Sequence, residues 1–225
     1  MSCPPVRLAV LLSGNGTTLQ NLIDYIEAGR LSASIVVVIS SRPDAYGLTR
    51  ATRHGLEAVC IPRRAYQDRQ TYDDAVDRLL DRYRPALIAL AGYLHRFRIA
   101  PHYHGRVMNI HPSLMPAFCG KGLYGLRVHQ AALDYGVKVS GCTVHFADED
   151  YDHGPIILQR TVPVLEHDSA EALAERVGIE ERRAYPEAIQ LFVEGRLKVE
   201  GRRVKILERA PGSSSTTARG LGQEL

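Results

Sequence analysis

The 225-residue chain has no tryptophan, three methionines and four phenylalanines, so its core must come from aliphatic residues and tyrosine within an apolar fraction of 45%. That fraction suffices for one larger domain with a sizeable core. The four cysteines, Cys3, Cys60, Cys119 and Cys142, form no C-x-x-C pair and show no zinc-like spacing with histidine. This argues against a metal-stapled or disulfide-built scaffold and leads us to expect reduced thiols in a cytoplasm. No apolar run approaches the roughly 20 residues of a membrane-spanning helix. Leu8-Ala9-Val10-Leu11-Leu12 is too short for a signal-peptide core, and Gly14 breaks it. The net charge is only +3, with basic residues scattered, so neither a nucleic-acid nor a membrane surface is called for. An anionic small molecule is compatible with this balance. There is no internal repeat.

What is present reads as strands alternating with helices. Leu8–Leu12 is a continuous apolar run, as in a strand covered on both faces. Leu19, Leu22, Ile23 and Ile26 have helical spacing within Gly16–Arg30. Strand Ile35–Ile39, helix Tyr46–His54 and strand Ala58–Ile61 follow. Thr71–Tyr83 carries one apolar stripe, and strands Ala86–Ala91 and Val107–Ile110 complete the series. This order predicts an α/β fold: a Rossmann-like, doubly wound, mostly parallel sheet flanked by helices. Ser113–Gly125 is expected to be loop and Val128–Leu133 a short helix closed by Gly136. Ser140–Ala147 and Ile156–Val164 read as strands. A long helix over Ala170–Glu194 should be kinked or split at Pro186. Leu197–Val199 and Val204–Ile206 read as a hairpin. Residues 1–207 are expected to form a single domain, and residues 208–225, rich in Pro, Gly and Ser, a disordered tail.

Three motifs carry chemistry. Ser13-Gly14-Asn15-Gly16-Thr17-Thr18 joins the first strand to the first helix, where backbone N–H groups and the positive helix end face an anion. It lacks the Walker lysine and the third glycine of a dinucleotide fingerprint, and a phosphate monoester suits it better. A turn needing glycine for geometry alone fits the spacing equally well. Asn109 and His111 end a predicted central strand, where open α/β sheets place ligands, and a two-residue period puts them on one face. An amide and an imidazole side by side can serve an attacked carbonyl, one donating to the oxyanion and the other managing a proton. Read alone, they better suit a strand end satisfying its own backbone. Asp152 closes an acidic turn before His153-Gly154-Pro155, and a carboxylate beside an imidazole favours its charged form. Asp148, Glu149 and Asp150 read by themselves as exposed turn carboxylates. His54, His102, His104, His129 and His167 read as surface or loop residues; His145 suits either the core or the site.

On these residues the chain resembles the folate-dependent glycinamide ribonucleotide formyltransferases of purine synthesis, over about Leu8 to Ile206. The matching stretches are Leu12–Gln20, Leu90-Ala91-Gly92-Tyr93, Asn109–Leu114, Val144-His145-Phe146 and Asp152–Ile157. The resemblance implies transfer of the formyl group of 10-formyltetrahydrofolate to the glycine amine of 5-phosphoribosylglycinamide, with no metal. The catalytic set then falls on Asn109, His111 and Asp152, supported by His145 and Ser113. Substrate contacts fall on Ser13–Thr18 and on Glu181, within the pattern Arg176-Val177, Glu181, Tyr185-Pro186. Folate contacts fall on Arg69, Leu94, His95, Arg96, Asn109 and the turn Asp148–Asp152.

Some positions depart from the family's pattern. Thr18 stands where Asn is usual and Arg182 where His is common. His95-Arg96 replaces a Met-Arg continuation, the link from there to Asn109 is shorter, and the loop Ala117–Gly125 is longer. Relatives of the same fold act on methionyl-tRNA, on amino sugars or on formyl-folate hydrolysis. The tRNA enzyme is expected to add a basic domain and the hydrolase an N-terminal regulatory one. A non-catalytic folate-binding module is a further alternative. A monomer or homodimer is expected.

Overall fold

The computed structural model describes residues 4–209; of the tail expected over residues 208–225, residues 210–225 lie outside them. Nine strands form one sheet in the order β3-β2-β1-β4-β5-β6-β7-β9-β8. The first part follows the sequence pattern: β1 (Val6–Leu12), α1 (Thr17–Glu27), β2 (Ala33–Ser40), α2 (Tyr46–Arg53), β3 (Ala58–Cys60), α3 (Arg69–Tyr83), β4 (Leu87–Leu90) and β5 (Val107–His111). These five strands pair in parallel. After them come α4 (Leu126–Tyr135), β6 (Val139–Phe146), β7 (Ile156–Pro163), α5 (Ala170–Val193), β8 (Leu197–Glu200) and β9 (Arg203–Ile206). Here β5–β6, β6–β7 and β8–β9 are antiparallel, while β9 meets β7 in parallel.

Alternate residues of β1 enter two separate cores. Leu8, Val10 and Leu12 pack with Leu19 and Leu22 of α1, Ala51 of α2, Ala132 of α4 and Leu173, Val177 and Ile189 of α5. Ala9 and Leu11 pack with Tyr72, Val76 and Leu80 of α3, together with Phe97, Ile99 and Tyr103. This two-sided covering explains why β1 reads as an unbroken apolar run. Asp68 caps α3, its side chain accepting from Thr71 N at 2.8 Å. Gly136, at φ 82°, closes α4. No helix among the described residues is long and apolar enough to cross a membrane.

The helix is not split at Pro186: α5 runs through it for 24 residues. Proline has no N–H to offer the carbonyl four residues back, that of Arg182. Asn21 Nδ2, on α1, donates to that carbonyl instead at 2.9 Å. The flanking face is also deeply seated. Tyr185 is fully buried, and its hydroxyl reaches the carbonyls of Leu90 (3.0 Å) and Met108 (2.9 Å) on β4 and β5. Arg209, assigned to the tail from sequence, pairs with Glu194 at 2.6 Å.

Candidate active site

Strand β5 runs on to His111, so Asn109 and His111 lie on one face as the two-residue period requires. Asp152 arrives from the turn between β6 and β7. Its φ of 48° lies in the left-handed region, which costs a side-chain-bearing residue free energy and persists only where the surroundings impose it. Gly154 helps to impose it, because a Cβ there would lie 1.9 Å from the Phe146 carbonyl oxygen. Arg96 also holds the turn, donating to the Glu149 carbonyl and lying 3.9 Å from the Asp150 carboxylate.

The carboxylate of Asp152 gathers the site. Oδ1 accepts from Asn109 Nδ2 at 3.2 Å and Oδ2 from the Gly120 amide at 2.9 Å. Oδ2 also faces His111 Nδ1 at 3.4 Å, and Oδ1 lies 3.8 Å from His145 Nε2. His111 is buried, and its Nε2 donates to the Phe118 carbonyl at 3.0 Å. His145 Nδ1 donates to the Phe146 carbonyl at 2.9 Å, which leaves Nε2 to accept from Asn109 Nδ2 at 3.1 Å. Burial holds the His145 imidazole below its ordinary pKa, keeping it neutral. With acceptors at both places, only the NH2 end of the Asn109 amide can face them, so its orientation is fixed.

Two side walls meet at this cluster. On one side lies a cavity of about 530 Å³ lined by Thr17, Thr18, Leu94, Lys121, Tyr124 and Glu181, with Asn109, His111 and Asp152 at its back. Burial pushes the Glu181 carboxyl up to about 7, against the pull of Arg182. On the other side, Asn109, Tyr93, Tyr151 and Asp152 also line a small cavity of about 70 Å³ with His95, Arg96, Asp148 and Asp150. An outer cavity of about 430 Å³ shares His95, Arg96 and Tyr151 and adds Arg63, Arg69 and Lys121. Burial, with Arg63 nearby, lowers the His95 pKa.

Some sequence-predicted residues lie elsewhere or act differently. Ser13 is buried, its hydroxyl spent on Ser41 Oγ (2.7 Å) and the Leu94 amide (3.0 Å), so it braces the loop rather than facing the cavity. Ser113 is buried too, donating to the Ala117 carbonyl at 2.6 Å while its own carbonyl accepts from Thr143 Oγ1 at 2.7 Å. Glu149 faces a separate apolar groove with His104, 4.0 Å away. Arg69 sits in the outer cavity, paired to Asp73 at 3.1 Å. His129, read as a surface residue, is buried in α4, with an unpartnered Nδ1 and a pKa lowered by burial and by His111. The reading missed the main-chain groups of Phe118 and Gly120 and the cations Arg63 and Lys121. The only signal was the glycine-rich loop, in which Gly120 and Gly122 take φ of 95° and 92°.

Comparison with known proteins is consistent along the chain. A formyl transferase family model matches residues 6–189. The phosphoribosylglycinamide formyltransferase of Escherichia coli is 37% identical over 196 residues, covering 86% of this chain and 90% of that protein. The trifunctional purine biosynthetic protein adenosine-3 of Bos taurus is 40% identical over 196 residues, and the chain spans only 19% of its length. The crystal structure of glycinamide ribonucleotide transformylase 1 from Symbiobacterium toebii superposes with a TM-score of 0.85 at 48% identity, covering 92% of this chain and 96% of that one. On a match that takes in both cores and every strand that frames the site, the chain belongs to the formyl transferase family, among its phosphoribosylglycinamide formyltransferases.

Proposed function

We propose that this chain transfers the formyl group of 10-formyltetrahydrofolate to the glycine amine of 5-phosphoribosylglycinamide, in a cytoplasmic setting and through a single domain. The observation that carries the reading is the position of Asn109 and Asp152, which line both the larger cavity and the small one behind it. An acceptor in the first and a donor in the second would meet at these side chains. Thr17, Thr18 and the α1 N-terminus suit the acceptor's phosphate, and Glu181 suits its hydroxyl groups. The folate-facing side falls to His95, Arg96 and Tyr151, with Arg69 at the outer mouth for an anionic tail, while Leu94 lines the acceptor's cavity.

In this mechanism the neutral amine attacks the formyl carbon, forming the C–N bond and sending the carbonyl electron pair to oxygen. The oxyanion takes one N–H of Asn109 in place of Asp152 Oδ1, the longer of that amide's two bonds. It takes His111 Nε2–H in place of the Phe118 carbonyl. Asp152 stays against Nδ1 and holds the imidazolium. The proton lost by the attacking nitrogen reaches the folate nitrogen through water or His111 as the carbon–folate bond breaks.

The test is absorbance-monitored tetrahydrofolate release from 10-formyltetrahydrofolate, with and without 5-phosphoribosylglycinamide, by the protein and by His111→Ala. Acceptor-dependent release that is lost in the variant supports the proposal. Release without acceptor would make the protein a hydrolase and overturn it. Binding of folate without any release would overturn it in favour of another amine or a non-catalytic role.

A further inference from the structure

We propose that Arg50 and Gly47 of α2 are positioning residues for the phosphate: they hold the carbonyls of the Ser13–Thr18 loop from behind and thereby aim its amides into the substrate cavity. The inference rests on the reading of that loop as the acceptor's phosphate site. It concerns residues that neither line the cavity nor belong to the motif.

The argument begins with the planar trans peptide, in which a carbonyl and the next residue's N–H point in opposite directions. Fixing one carbonyl therefore aims one amide. Gly14 O accepts from Gly47 N at 3.1 Å, and Asn15 O accepts from Arg50 Nε at 2.9 Å. The N–H groups of Asn15 and Gly16 are thus turned away from α2. Gly16 O is taken by Gln20 N at 2.9 Å inside α1, which turns the Thr17 amide outward from the helix start. Gly16, the N-cap of α1, provides no side-chain cap, so the first-turn amides are left to a ligand.

The docking is backbone to backbone. A Cβ on Gly16, itself at φ 70°, would lie 2.6 Å from Gly47 Cα, and a Cβ on Gly47 would lie 2.5 Å and 2.8 Å from the Leu12 methyls. At Gly16 the obstacle is backbone and cannot give way; at Gly47 it is the methyl ends of Leu12, which a Cβ would push aside and so shift the loop. Arg50 is anchored beyond the loop as well: Nη1 donates to Gln20 Oε1 at 3.2 Å, and its guanidinium stands 5.0 Å from the centre of the Tyr46 ring. Its planar fork therefore ties loop, α1 and α2 together, a geometry that a lysine's single ammonium reproduces only in part.

The test compares Arg50→Met, Arg50→Lys and Gly47→Ala with the unaltered protein, each checked by thermal unfolding. Losing a charge-assisted hydrogen bond to the loop should raise the KM for 5-phosphoribosylglycinamide by about 10- to 100-fold in Arg50→Met. kcat and the KM for 10-formyltetrahydrofolate should stay within about threefold. Arg50→Lys should recover part of the loss. Gly47→Ala should show the same selective rise with Arg50 and its charge untouched. Inorganic phosphate, used as a competitor of the acceptor, should weaken in parallel, because it reads the loop alone. An unaltered protein without acceptor-dependent release would sink the functional reading itself. An active protein whose Arg50→Met variant keeps its acceptor KM within about twofold, or raises both KM values equally, would overturn this inference alone. Should Arg50→Met not fold, Gly47→Ala decides by the same two measures.

Discussion

Replacing Asp152 by Asn changes the site electrostatically while leaving the backbone in place. Asn tolerates the left-handed φ of 48° that Asp152 adopts, whereas Ala there would add backbone strain of about 1–2 kcal/mol. The carboxylate lies 3.4 Å from His111 Nδ1, and its side chain is only 12% exposed. At an effective dielectric of about 20, a full charge pair at that distance is worth at most about 5 kcal/mol. An amide also cannot accept from both Asn109 Nδ2 and the Gly120 amide, so one of those bonds becomes a donor–donor contact. The expected outcome is a kcat lower by about 10²–10⁴, with stability lower by about 1–3 kcal/mol from the unpaired donor. Steady-state turnover at saturating concentrations of both substrates reads the first effect and urea unfolding the second. A kcat within about threefold of the unaltered protein would refute the reasoning, since no other carboxylate faces the Nδ1 side of His111 among the described residues.

Two further outcomes follow from groups outside the catalytic trio. Burial raises the Glu181 carboxyl from 4.5 to about 7 in the folded state, so the folded protein holds a proton that the unfolded chain releases. Stability is therefore lost as pH rises from about 4.5 to about 7 and is level above that. Glu181→Gln should gain on the unaltered protein across the same window, by at most about 3 kcal/mol; parallel stability curves from pH 5 to 8 would contradict this. Asn21→Leu should cost about 0.5–1 kcal/mol, because the exposed Arg182 carbonyl then exchanges its donor for water. In a Pro186→Ala background, where residue 186 regains its N–H, the same change should cost much less. Additive losses in that double-mutant cycle would show that the two residues are not coupled.

Legibility in the sequence followed the kind of atom involved. The strands β1, β2 and β4 are evident because burial forces continuous aliphatic runs. Asn109 and His111 stand out because polar side chains interrupt and end the otherwise apolar β5. The groups that hold His111 and Asp152 in place are different: the carbonyl of Phe118 and the amide of Gly120 exist at every residue, so no residue type announces them. The continuity of α5 through Pro186 was hidden for a related reason, since its remedy, Asn21, is 161 residues away from Arg182. Ser13 shows the converse. Its hydroxyl looks available beside a glycine-rich turn, but a buried hydroxyl must find partners within reach, and Ser41 and Leu94 are closer than any ligand. His129 was misplaced because it sits with Val128 and Ala132 on the inward face of its helix, where a polar residue type gives no sign of burial.

The change from parallel to antiparallel pairing at β5 accounts for where the site opens. On the β4 side the pairing ends at Leu90 opposite Asn109, so Ile110 and His111 project beyond their parallel neighbour, and the larger cavity begins there. On the β6 side the pairing continues, placing His145 opposite Asn109 and Thr143 opposite His111. That flank is therefore closed and rigid. His145 supplies the acceptor that orients the Asn109 amide, and Thr143 Oγ1 secures the loop by donating to Ser113 O and accepting from Met115 N. β6 is reached from β5 through the 112–138 connection, which contains α4. Running antiparallel past Asn109, it turns directly into the segment that returns Asp152 to the site. The same strand thus exposes its reactive pair on one side and is braced on the other, which is the preorganisation that stabilising a short-lived oxyanion requires.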